Sequence, residues 1–342
     1  MRPDRVDIIR FATIVLAYFI SGYIGLQFPY YGSNVTLIWA PSGIALATLV
    51  AWGWRYWPAV LIAALLVNLT TSAPVYTAAL IACGNTLAAV LPVILFRRFL
   101  GSHDRISFRG IIGMIGFGVV LNPLISSLLG TLVLCLTVIG DFSNYREIWQ
   151  GWWLGDLVGV TIIGSVVLRL LSHDYHSRDR AFYIELACAG TAAVIASSVV
   201  HLIPTISHPE YMFLFVSLPF ALWGAIRFGL FGTTIINALI SFDLVVFAAS
   251  GHSAFVNTDL STALTNMYGY LVAVTLSTLV LAAGMENIAH VNRNTADGRI
   301  TSEIHRLRKN LAIVVGATGF LLSIAAAGYT YLQIDAARKN QT

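Results

Sequence analysis

Asn68, Asn85, Asn122, Asp156 and Asp243 stand inside otherwise apolar stretches of this chain. A carboxylate at the centre of a bilayer costs at least about 2.5 kcal/mol, so Asp156 and Asp243 are expected to face protein or a wet cavity. The asparagines add amide donors and acceptors. Such a set can bind a small molecule, an ion or a lipid, and no catalytic residue is assigned. The chain has no nucleophile elbow, phosphate loop, zinc-binding helix or nucleotide fingerprint. An enzyme would have to use Asp156, Asp243, His201 and Glu185, and the last two fall near opposite faces of the membrane. His173-x-x-His176 has a metal-like spacing without a third ligand. Cys83, Cys135 and Cys188 all lie in apolar segments, so neither a metal nor a cofactor is expected.

Each of these residues also has a plain structural reading. Asn68 and Asn85 could only hydrogen-bond across helices, worth roughly 0.6 to 2 kcal/mol. Asn122 precedes Pro123 and could only relieve a kink. Asp156 could snorkel from an interfacial belt. Arg55 and Arg227 read as topology anchors at inner helix ends.

The elements that must position these side chains are organised around Trp149 to Gly164. Trp149, Trp152 and Trp153 suit the headgroup level, Asp156 lies about one turn deeper, and Gly155-x-x-x-Gly159 lets a neighbouring helix approach. With 342 residues, 57% hydrophobic and 11% charged, and a mean hydropathy of +0.78, the chain reads as an all-α, polytopic membrane protein. Taking ~20 apolar residues per crossing, about ten spans form a first block. Their limits are near 8 to 28, 36 to 53, 57 to 72, 76 to 96, 110 to 138, 150 to 171, 182 to 204, 211 to 227, 230 to 250 and 264 to 286. An eleventh runs from 311 to 332, and eight spans with two re-entrant segments is the alternative.

Charge placement sets an orientation. Alternate connections hold Arg55; Arg97, Arg98, Arg105 and Arg109; Arg169, Arg178 and Arg180; Arg227; and Arg293 to Lys309, while the others up to Asn266 hold Arg146. This positive-inside pattern puts the N-terminus in the cytoplasm. Depths counted at ~1.5 Å per residue place the five polar residues in the middle and outer leaflet, which suggests one cavity open to the outside. The expected divisions are a multi-span membrane domain over 1–288, a cytoplasmic coupling helix over 289–310 and an extra span with its tail over 311–342. In the coupling segment Ile300, Ile304, Leu307 and Leu311 repeat near 3.5, and Thr301 or Ser302 suits a cap. This is either a homodimer seam, continued by the last span, or a solvated single helix. Pro41 to Asn68 loosely resembles Pro219 to Asn237, a possible internal repeat of the kind transporters carry.

Several of these blocks together carry a family likeness. Ile38-Trp39-Ala40-Pro41-Ser42-Gly43-Ile44-Ala45, Arg55-Tyr56-Trp57-Pro58, Asn68, Gly84-Asn85-Thr86-Leu87, Trp152 to Val160 and Trp223 to Gly229 resemble the first class of bacterial membrane-associated sensor (MASE) domains over about residues 8 to 290. The resemblance implies an input domain in the bacterial cytoplasmic membrane that precedes histidine kinase, diguanylate cyclase or cyclic-di-GMP phosphodiesterase modules. It also implies that Trp39, Pro41, Asn68, Asn85, Trp153 and Asp156 belong to a shared site or its scaffold. The eleventh span resembles relatives that continue into an extracytoplasmic CHASE-type domain. Function therefore reads as sensory input from an unidentified ligand, with the output outside this chain, a periplasmic C-terminal end and no nucleic-acid partner. A transporter or permease subunit, and a module that only recruits a membrane partner, are the competing classes.

Overall fold

The computed structural model describes residues 4–27, 29–31, 35–36, 38–100, 113–172, 179–202, 209–250, 260–294, 306 and 309. These divide into two compact units, Met1–Asp174 and Tyr175–Thr342.

In the first unit α1 (Arg5–Gly25) opens on Asp4, whose carboxylate caps the Arg5 N–H. A short antiparallel ladder of β1 (Pro29–Tyr31) and β2 (Val35–Thr36) follows, in the connection after α1. Next come α2 (Ala40–Trp52), α3 (Trp57–Asn68) and α4 (Val75–Leu100). α2 and α3 both begin with proline in the first turn, where its missing N–H costs nothing. Between them Gly53 turns the chain at φ 117°, a conformation that favours glycine. The apolar runs 36–53 and 57–72 were expected as spans, but their helices rise only about 20 and 18 Å. That is short of a ~30 Å hydrocarbon core. Part of each run is spent on β2, the extended Ile38–Trp39 entry and the turn after Asn68.

α5 (Met114–Ile139) and α6 (Tyr145–Leu171) complete this unit. Each changes register internally: α5 has π-helical stretches at Met114–Leu121 and Cys135–Ile139, and α6 has one at Gly159–Gly164. Pro123 falls where the first π stretch gives way to α-helix, so the helix absorbs the proline by widening. One end of the unit gathers basic residues. Arg10 lies over the Trp52 ring at 5.6 Å, Arg55 pairs with Asp7 at 2.7 Å, and Arg97 donates to the Val50 carbonyl at 3.4 Å. The Tyr56 hydroxyl also donates to Asp7, tying the α2–α3 turn to the start of α1. At the other end Thr77 bonds Thr137 at 3.0 Å.

The second unit contains α7 (Arg180–His201), α8 (Pro209–Trp223), α9 (Gly229–Ala249) and α10 (Leu260–Asn294). Asp179 caps α7 through the Phe182 N–H at 2.9 Å. α8 passes into a π-helical stretch, Gly224–Phe228, and Gly229 (φ 65°) then reverses the chain, so that α8 and α9 pack side by side.

Among the described residues seven stretches are long and apolar enough to cross a membrane. One of them, Val216–Ala248, contains the Gly229 reversal and is therefore a hairpin of two helices. The protein is an all-helical, multi-pass membrane protein with ten described helices, two of them too short to cross alone. α10 continues unbroken past residue 288 to Asn294, and Arg306 and Lys309 are helical and exposed. The remainder of the expected coupling segment, and the span over 311–332, lie outside the described residues.

Candidate functional site

In the first unit Asp156 is fully buried. Its Oδ1 accepts a hydrogen bond from the Ser42 hydroxyl at 2.6 Å. Ser42 lies in the first turn of α2, a helix whose N-cap, Trp39, offers no side-chain acceptor. The carboxylate therefore stands at an otherwise uncapped, positive helix end. Ser126 and Trp152 also lie beside it. Ser126 in turn donates to Asn85 Oδ1 at 3.1 Å, and the Asn85 amide reaches the Tyr18 hydroxyl at 3.5 Å. Asn122, one turn before Ser126 on α5, donates to the Ala88 carbonyl at 2.9 Å. α1, α2, α4, α5 and α6 thus meet in a buried polar layer. Asp156 Oδ2 and Asn122 Oδ1 have no hydrogen-bond partner in it.

Backbone contact brings this layer together. The Trp39 N–H donates to the Gly155 carbonyl at 3.0 Å. A Cβ on Gly159 would stand 2.0 Å from the Trp39 carbonyl oxygen. One on Gly43 would stand 2.2 Å from the Gly159 carbonyl. The Gly155-x-x-x-Gly159 face is thus where the entry to α2 lies flat on α6, and Pro41 starts that helix. Trp152 is buried against Gly130, in a cluster with Ile81, Leu134 and Ile148. Trp153 is partly exposed and stacks on Trp149, with centroids 5.8 Å apart. The tryptophan nearer the carboxylate is therefore Trp152. Asn68 is buried, but its amide turns back on its own helix, to the Ala64 carbonyl at 2.9 Å.

Asp243 belongs to the second unit. Its Oδ1 accepts from Ser198, its Oδ2 faces His201 Nε2 at 3.6 Å, and His201 stacks on Phe247 at 4.5 Å. The His201 side chain is fully buried. Arg227 forms two bonds to Glu185, at 2.7 and 2.6 Å, beside the Gly229 turn. Among the described residues no cluster of three His, Cys, Asp or Glu side chains could hold a metal.

Sequence reasoning did not assign Tyr18, Ser42, Ser126 or Ser198 to a site. Ser42 sits inside the Trp-x-Pro-x-Gly block, which was the available signal. Hydroxyls elsewhere in apolar helices normally satisfy their own i−4 carbonyl, as Thr48 and Thr161 do here, and nothing local marks the exceptions.

Comparison with curated proteins and with solved structures finds no match to this chain. The MASE1 family profile matches residues 10–287, from α1 to the last turns of α10. With most of its length matched, including both units of buried polar residues, the chain belongs to the MASE1 family of membrane-associated sensor domains.

Proposed function

We propose that the chain is the sensory input region of a bacterial receptor in the cytoplasmic membrane, and that its ligand acts on the polar layer around Asp156. The observation that supports this reading most is the buried Asp156 carboxylate, with one oxygen held by Ser42 and the other unpartnered. Keeping such a group in an apolar bundle is costly. A bound ligand that differs in affinity between two packings of α2 on α6 would shift their balance. Gly43, Gly159 and Gly164 let those two helices touch through backbone, so a small change at Ser42–Asp156 alters how they pack. Asn294, beyond the last apolar turns of α10, lies on the route toward an output module such as a kinase or a cyclase.

The test joins the chain to a reporter output and compares wild type with Asp156→Asn and Ser42→Ala at equal membrane abundance. Altered output with unchanged insertion supports the reading, and normal output from both variants overturns it. Net uptake of solute by proteoliposomes holding the chain alone would favour a transporter instead.

A further inference from the structure

We propose that the polar layer of the first unit is a binding site for a dehydrated monovalent cation of the Na+ class. The inference rests on the reading that Asp156 is the input site, and it names the ligand chemistry there.

The argument starts from which atoms are left over. The Asn122 Nδ2 is committed to the Ala88 carbonyl at 2.9 Å. A carbonyl only accepts, so the amide orientation is fixed and Asn122 Oδ1 is turned the other way, without a partner. Asn85 likewise directs its Nδ2 to Tyr18 and its Oδ1 to Ser126. Ser126 lies beside Asp156, whose Oδ2 is buried and unpartnered. Two oxygens of this layer are thus left without a donor, Asp156 Oδ2 on α6 and Asn122 Oδ1 on α5, and the Ser126 hydroxyl, one turn from Asn122 on α5, stands beside Asp156.

That set selects its ligand by charge and hardness. Anions are repelled by a carboxylate among carbonyl oxygens. A divalent ion would leave one uncompensated positive charge in a low-dielectric interior. Oxygen donors without sulfur or imidazole exclude the softer transition metals, and a single positive charge balances Asp156, which leaves a group I ion. Among the described residues no Lys, Arg or His makes an ion pair with Asp156.

The test is equilibrium binding of radioactive Na+ to the purified chain in detergent, in choline chloride, with Li+, K+ and methylammonium as competitors. Saturable binding of one Na+ per chain is expected, together with a higher unfolding temperature in NaCl than in choline chloride. Asp156→Asn should abolish binding, and Asn122→Leu should weaken it about tenfold through loss of one oxygen. Both variants are checked by size exclusion for a folded, monodisperse state. No saturable Na+ binding by the wild type between pH 6 and 9, or a site that takes methylammonium and not Na+, overturns the proposal. If Na+ does not bind but Asp156→Asn still changes receptor output, the sensor reading stands without the ion. If Na+ binds and output is unaffected, the sensor reading fails and the site remains.

Discussion

Ser42 and Asp156, 114 residues apart in the chain, are joined by a 2.6 Å hydrogen bond that fixes the start of α2 against α6. Hydrogen bonds between membrane helices average only about 0.6 kcal/mol, but a buried acceptor stripped of its donor costs about 1 to 3 kcal/mol. Ser42→Ala should therefore destabilise by about 1 to 3 kcal/mol in reversible unfolding from mixed micelles. In Asp156→Asn the same serine substitution should cost distinctly less. Additive effects in this double-mutant cycle would mean that the bond carries no coupling.

The glycines around this bond form a graded series. A Cβ on Gly159 would meet a backbone oxygen at 2.0 Å, one on Gly164 would meet the Gly43 Cα at 3.3 Å, and one on Gly116 meets nothing within 4 Å. Backbone cannot swing aside as a side chain can, so Gly159→Ala should cost at least about 1 to 3 kcal/mol and reduce folded yield. Gly164→Ala should cost less. Gly116→Ala should be neutral or stabilising, because alanine is the better helix former by about 1 kcal/mol. Thermal unfolding of the three variants checks the order; equal effects would remove the case that α2 and α6 meet through backbone.

What could be read from the sequence follows from the range of each interaction. Helix placement was legible because hydropathy is summed over some twenty residues, and errors at single positions average out. That the second and third apolar runs are short was legible too, but not where α2 and α3 begin and end inside them, because hydropathy does not mark β2, the entry at Trp39 or the turn after Asn68. That Asp156 must avoid lipid followed from its charge alone. Its partner did not, because Ser42 and Ser126 look like any hydroxyl that bonds its own helix, and only the packing of α2 and α5 decides otherwise. The π-helical stretch Gly159–Gly164 likewise lies where α6 meets Gly43 of α2, a contact that no local pattern announces. The tryptophans show the limit of depth arguments, which put Trp152 and Trp153 at one level. The helical turn sends Trp152 onto Gly130 and Trp153 onto Trp149.

In the second unit Glu286 closes the Gly229 turn by accepting the Leu230 N–H at 2.9 Å, an N-terminal cap for α9 supplied from α10. Its Oε1 also fills the space above Gly229, where a Cβ would stand 2.3 Å away. Glu286→Ala should cost about 1 kcal/mol, as loss of a cap does, and Glu286→Gln, which keeps the acceptor, should cost less. Gly229→Ala should be worse than either, since it adds a positive-φ strain to the clash. Unfolding midpoints that rank Glu286→Gln below Glu286→Ala would contradict this role.

His201 and Asp243 face each other at 3.6 Å, too long for a hydrogen bond of ordinary strength, whereas Ser198 holds the other carboxylate oxygen closely. The restraint on Asp243 should therefore come mainly from Ser198. Ser198→Ala strips the carboxylate of that donor and should cost about 1 to 3 kcal/mol. His201→Phe keeps an aromatic ring stacked on Phe247, a contact worth about 0.5 to 1.5 kcal/mol, and so should cost less than Ser198→Ala. A nitrogen-15 spectrum of labelled histidine gives a second readout, because Asp243→Asn changes the charge facing the His201 ring and should shift its Nε2 signal. If His201→Phe proves the more damaging variant and the Nε2 signal does not respond to Asp243→Asn, then His201 is held by other contacts and does not report on Asp243.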